Sequence, residues 1–252
     1  MSREWDATTY DRVANPHVKW GAGILEHLDP DGVVTVVDAG CGTGRVTELV
    51  LDRVPGARVV AIDGSQKMVE EAGRRLLPAI DDGRVEVVHA DLTKSFLGLL
   101  PRREPVDAIV STATFHWILD HDVLFANLAE ALRPGGQLVA QCGGAGNLAS
   151  VYEAMRQAGE PWMGPKYYAT AEETADRLRS CGFTDVRTWL HDEPTPFESL
   201  EALEEYLGAI VLGAHLERLP EAERAPFVHA VASRLPKAEL DYVRLNMVAR
   251  RA

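Results

Sequence analysis

The chain has 252 residues, 46% of them apolar, enough for one large α/β domain with a substantial core. Asp and Glu total 38 against 26 Lys and Arg, a formal charge of -12, so the surface on average repels phosphate backbones and argues against a nucleic-acid partner. No apolar run is long enough to span a bilayer, the opening MSREWDATTYDRV lacks the basic start and apolar stretch of a secretory signal, and Cys41, Cys142 and Cys181 contain no CxxC pair, so a reducing, cytoplasmic setting is expected.

In chain order, Val18, Ala22, Leu25 and Leu28 recur at helical spacing and predict a helix over 16–28. TVVDAG (35–40) reads as strand and turn, 44–53 as a helix, and RVVAID (58–63) as a second strand. Ser65 is placed to cap a helix whose buried face carries Met68, Ala72 and Leu76. Strands follow at 85–90 and 106–112. A helix starts at Asp120 or Asp122 and stops at ALRPGG, and the fifth strand is 137–143. Helices at 147–158 and 171–181 precede a sixth strand at 186–192, and 242–250 reads as the last. Between these two strands the rhythm breaks: 198–236 carries two helical stretches, an insertion able to cap a pocket. The expectation is a single domain over 1–252, with a doubly wound, seven-stranded, mostly parallel α/β sheet and a helical insertion before the last strand.

The chemistry concentrates in VVDAGCGTGRVTELV (36–50). Gly40, Gly42 and Gly44 alternate at the end of a strand and the start of a helix, an open backbone suited to a ligand. A dinucleotide fingerprint is GxGxxG; here the third glycine comes one residue early. Asp38 stands just before the turn and would sit badly beside a pyrophosphate. That favours an adenosyl ligand carrying an amine and a sulfonium. Asp63 ends the second strand, where it can accept two ribose hydroxyls or cap the loop at Ser65. Asp91 follows the third, where it can meet the adenine amino group or merely cap a turn. Three acids at the carboxyl ends of successive strands is the pattern of a ligand-binding sheet edge. No histidine or cysteine cluster has metal-ligand spacing, so no metal is expected.

On these residues the chain resembles the class I S-adenosylmethionine-dependent methyltransferases, with a Rossmann-like fold. DAGCGTG looks like their first motif, AIDGS (61–65) the second and HADL (89–92) the third; STATFHW (111–117) and LRPGG (132–136) match the fourth- and fifth-strand signatures. The resemblance implies that the turn from Ala39 to Gly42 holds the methionine part of S-adenosylmethionine. Asp63 would bind the ribose, Gly64 and Met68 flank the adenine, and Asp91 and Leu92 meet its edge. Asp38, Cys41, Ser65, Ala90 and Thr112 complete the expected cofactor set. WDATTYDR, FHW and RLNMVARR are similar to the trans-aconitate-methyltransferase-like branch, which methylates carboxylates of small molecules. Thr112 lies in a stretch where those relatives often carry Asn, and the insertion offers only Arg218 and Arg224 as cations for a polycarboxylate.

A small-molecule methyltransferase forming a carboxylate ester is therefore the expected function. C-, N- or phenol O-methylation, or a non-catalytic cofactor-binding protein, are the alternatives. His116 is the candidate catalytic residue, as a base for a hydroxyl, a donor to a carboxylate, or a residue that only positions its loop. Tyr10, Trp20, Trp117 and Tyr167 are the other candidate acceptor contacts, Tyr10 and Trp20 on an N-terminal helical lid (1–30). Periodicity does not separate a subunit interface from core, so no oligomeric state is assigned.

Overall fold

The computed structural model describes residues 15–252. Seven strands form one sheet in the order β3-β2-β1-β4-β5-β9-β6. They are β1 (Thr35–Ala39), β2 (Arg58–Asp63), β3 (Val85–His89), β4 (Val106–Thr112), β5 (Leu132–Gly143), β6 (Phe183–Asp192) and β9 (Val243–Arg251). β1 to β5 pair in parallel, whereas β9 runs antiparallel between β5 and β6. Two-residue strands β7 (Thr195–Pro196) and β8 (Glu239–Leu240) make a separate ribbon.

The strands are buried on both faces, and the period-2 alternation of side chains sorts them cleanly. Val37, Val60, Ile62, Ile109 and Leu138 face one side. There they meet helices α5 (His121–Ala131) and α7 (Ala171–Ser180) through Leu124, Leu128 and Leu178. Val36, Val59, Ala61, Val110 and Val139 face the other, against α1 (Asn15–Leu25), α2 (Arg45–Arg53) and α3 (Gln66–Arg75). A short α4 (Leu77–Asp81) follows α3 directly. A third apolar cluster joins α6 (Ala149–Gln157), Trp20 of α1 and the chain after β7 through Met155, Leu203, Tyr206, Ile210 and Val231.

Local signals account for most boundaries. Ser65 accepts from the Met68 N–H and caps α3, and Asp120 accepts from the Val123 N–H and caps α5. Three expectations need correction. The fifth strand starts at Leu132, not Gln137: the chain leaves α5 already extended and reaches regular pairing with β4 after a register shift at Val106/Ala108. β6 starts at Phe183. The segment expected to hold two helical stretches is α8 (Leu200–Tyr206), a π-helical turn (Leu207–Val211), α9 (Gly213–Leu216) and α10 (Glu221–Ala232), pinned at both ends by the β7–β8 ribbon.

Candidate functional site

The strand order reverses at β1, which lies between β2 and β4, so a crevice opens at the carboxyl ends of these strands. A cavity of about 540 Å³ occupies it. Gly40 and Gly42 of the glycine turn line it; these two and Gly44, which faces Leu76 instead, are all at positive φ (83°, 55° and 86°). At Gly40 a Cβ would meet the Thr114 side chain at 2.2 Å; at Gly42 it would meet nothing within 4 Å. The first glycine therefore permits close packing and the second keeps the cavity open.

Asp38, Asp63 and Asp91 all line the cavity. Asp63 buckles two loops together: Oδ2 accepts the Gly42 N–H at 2.9 Å and Oδ1 the Ser65 N–H at 2.8 Å. Burial pushes the Asp63 carboxyl above its ordinary range, against the pull of the Ser65, Gly42 and Gly64 N–H groups and of His89. Asp38 is 1% exposed and accepts from Thr47 Oγ1 at 2.7 Å. Burial drives its carboxyl up to about 7; the Thr47 bond opposes this and the nearby Asp63 charge adds to it. Asp91 is exposed on the rim. Burial is the largest single influence and raises its carboxyl, but the bonds from the Thr93 hydroxyl and N–H, with the nearby Lys94 charge, together outweigh it and hold the group low.

Gly40, Cys41, Gly42, Gly64, Ser65, Met68, Ala90, Leu92 and Thr112 complete that end of the cavity. Thr112 Oγ1 is buried with no hydrogen-bond partner among the described residues. Ala39 does not reach the cavity: its side chain lies in the core, and its carbonyl accepts from Ser111 Oγ at 2.6 Å. The fit to an adenosyl group with an amine and a sulfonium is good. Three carboxyls stand along the crevice, one side-chain oxygen lacks a partner, and the backbone is open at Gly42.

The other end is built from a 3-10 turn (Phe115–Trp117) after β4, from α1, from the loop before α7 and from β9. Phe115 is core, while His116 and Trp117 line the cavity. His116 is 8% exposed, and its ring stacks on Tyr168 with centroids 5.8 Å apart. Its Nδ1 accepts the Gly143 N–H at 3.3 Å. That bond assigns the imidazole proton to Nε2. Burial, then the charges of Arg244 and Lys166, hold the ring well below its ordinary pKa. His116 is thus a neutral donor, and the nitrogen a base would need is already occupied.

Two of the other expected acceptor contacts stand differently. Tyr10 lies outside the described residues. Tyr167 turns away from the cavity: its hydroxyl accepts from Arg177 NH1 at 2.8 Å and its ring lies edge-on to His121. The lining residue is its neighbour Tyr168. Trp20 is buried and lines the cavity, as do Ile210 and Val211 of the π-helical turn.

The residue that sequence reasoning missed is Arg244. It is 1% exposed, in the second position of β9, and lines the cavity. Its guanidinium stacks 4.0 Å over the Trp20 ring. Nε donates to Gln141 Oε1 at 3.1 Å, and NH2 has no partner. Among the described residues no acid forms an ion pair with it. A signal was present: Arg244 and Asn246 alternate within a stretch, 243–249, whose other residues are all apolar, as polar residues on one face do. Arg218 and Arg224 line no part of the cavity.

Comparison with known proteins agrees with this geometry. A family model described as "Methyltransferase domain" matches residues 36–136. The chain is 30% identical to a trans-aconitate 2-methyltransferase of Paracidovorax citrulli over 99% of both chains. It is also 30% identical to one of Azoarcus over 90% of this chain and 87% of that protein. In fold it is similar to geranyl diphosphate methyltransferase (TM-score 0.60, 20% identity, 98% of this chain and 90% of that one). It is similar as well to a Haemonchus contortus phosphoethanolamine N-methyltransferase (TM-score 0.63, 20% identity, 97% of this chain), of which it spans 56%. The acid-lined glycine turn at the strand ends and the full-length relatives lead to one assignment: the chain belongs to the class I S-adenosylmethionine-dependent methyltransferases.

Proposed function

We propose that the enzyme methylates a carboxylate oxygen of a small organic acid. The observation that carries this is Arg244, a fully buried cation with no acidic partner among the described residues and an unpaired NH2 at the cavity. Desolvating a guanidinium costs several kcal/mol unless an anion compensates it. A carboxylate acceptor is that anion, and as a nucleophile it needs no general base. His116 beside it, neutral with its proton on Nε2, donates rather than abstracts. Relatives named trans-aconitate 2-methyltransferase support an acid as the acceptor.

The cofactor supplies a methyl on a positively charged sulfur. Asp63, held by backbone N–H groups at the crevice, would accept the ribose hydroxyls. Met68, Ala90, Asp91 and Leu92 enclose the adenine, with Gly64 and Ser65 beside them. Asp38, Gly40, Cys41, Gly42 and Thr112 surround the methionine part, and Asp38 supplies the negative charge for its ammonium. On the acceptor side Arg244 and His116 hold the carboxylate, Trp20, Trp117 and Tyr168 wall it, and Ile210 and Val211 roof it against water. The net charge of -12 supports a small molecule rather than a nucleic acid, and the three free cysteines support a reducing cytoplasm.

The test is a panel of small acids, phenols and amines with a methyl-labelled cofactor. Labelled products from acids that mild alkali hydrolyses, releasing methanol, are expected. Label confined to phenols or amines would overturn the carboxylate reading.

A further inference from the structure

Arg244 does not stand alone. Its Nε donates to Gln141 Oε1 at 3.1 Å, and Gln141 Nε2 donates to Asn246 Oδ1 at 2.9 Å. The two N–H groups of the Asn246 amide are in turn shared among His191 Nδ1 at 2.9 Å and the Trp189 and Arg244 carbonyls, both at 3.3 Å. Each amide therefore has only one workable orientation: reversing Gln141 would put its NH2 against the guanidinium and its oxygen against the Asn246 oxygen. Gln141 and Asn246 are opposite partners in the β5–β9 ladder, and both are buried. Gly143, which bonds His116, is the ladder partner of Arg244. Three strands thus position this one cation.

A buried arginine is ordinarily held by a carboxylate, which would neutralise it. Here the holding group is an amide, with the shape of a carboxylate and none of its charge. We infer that Gln141 is the positioning residue that aims the Arg244 guanidinium into the cavity while leaving its charge for the substrate, so that this amide sets the preference for an anionic acceptor. The inference rests on the carboxylate reading above but is tested separately from it. One added negative charge at this position, in Gln141→Glu, pairs with Arg244 internally and displaces the acceptor anion.

The experiment compares wild type, Gln141→Glu and Gln141→Met, with S-adenosylhomocysteine filling the cofactor end for the thermal shifts and S-adenosylmethionine as donor for the kinetics. Thermal shift is read with benzoate and with uncharged benzamide, alongside steady-state kinetics on the best acid from the panel. In wild type benzoate raises the melting temperature and benzamide does not. In Gln141→Glu the benzoate response is lost and KM for the acid rises roughly a hundredfold. The kcat falls less, affinity for S-adenosylhomocysteine is unchanged, and the unliganded melting temperature is not lowered. A merely structural role would lower the melting temperature and leave the KM-to-kcat balance alone. Gln141→Met keeps the charge, loses the aim, and shows an intermediate rise in KM; it carries the test if Gln141→Glu does not fold. A Gln141→Glu enzyme that responds to benzoate as wild type does would overturn the inference, as would a wild type that ignores benzoate. Wild-type benzoate binding that is lost in Gln141→Glu, in an enzyme that methylates only phenols or amines, would instead sink the carboxylate reading and leave standing only that Gln141 keeps the Arg244 charge available to an anion.

Discussion

Asp38 shows how much a single side chain can depend on its surroundings. Its carboxyl has an ordinary value of 3.8, and burial lifts it to about 7 in the ligand-free protein. Between those values the folded chain holds a proton that the unfolded chain has released. The unliganded fold therefore loses stability from this group as pH rises through that window. A bound ammonium favours the carboxylate and draws the value back down, so cofactor binding near pH 6 is expected to expel a proton. Calorimetry of S-adenosylhomocysteine binding in two buffers of different ionisation heat measures this. The heats should differ for wild type and converge for Asp38→Asn, whose amide oxygen can still accept from Thr47; identical heats for wild type would remove Asp38 from ammonium binding. The acid itself was legible from its place before the glycine turn, as were Asp63 and Met68. Tyr168 was not, because a one-residue choice of side in an irregular loop has no local code.

At the scale of elements, the glycine turn separates packing from access. In Gly40→Ala the new Cβ falls 2.2 Å from the Thr114 side chain at a φ of 83°. A stability loss of about 1–3 kcal/mol in urea unfolding is expected from the strained backbone, with more from the clash. Gly42→Ala places its Cβ in open space at a φ of 55°. It should fold with a smaller loss yet bind S-adenosylhomocysteine much more weakly. Equal effects of the two changes on stability and affinity would contradict this division. The bounds of β2 and β4 and the caps at Ser65 and Asp120 were readable because alternation and capping are local. The insertion was harder. Its apolar spacing is helical throughout, but the π-helical turn at Leu207–Val211 interrupts it, and the Val211 carbonyl is met by Lys166 Nζ at 2.9 Å from another loop.

Across the whole molecule, a charge of -12 has the same sign as the proposed carboxylate acceptor. Long-range repulsion slows encounter and is screened by salt over about 8–10 Å, whereas the buried Arg244 is screened far less. The kcat/KM for an acid should therefore rise as salt increases from a few millimolar toward physiological strength, while S-adenosylmethionine affinity changes little. A steep fall with salt would point to a basic approach path instead.

The cofactor end of this protein was determined by its sequence alone. Its acids and glycines sit at the tips of consecutive strands, so contiguous motifs carry both the fold and the ligand chemistry. The acceptor end was decided only in three dimensions. Gln141 and Arg244 lie 103 positions apart and meet because β9 inserts antiparallel beside β5, a pairing that no local periodicity encodes. Burial there leaves a strand arginine at the cavity without an acidic partner among the described residues, the basis of the anion site proposed above, and a backbone N–H occupies His116 Nδ1.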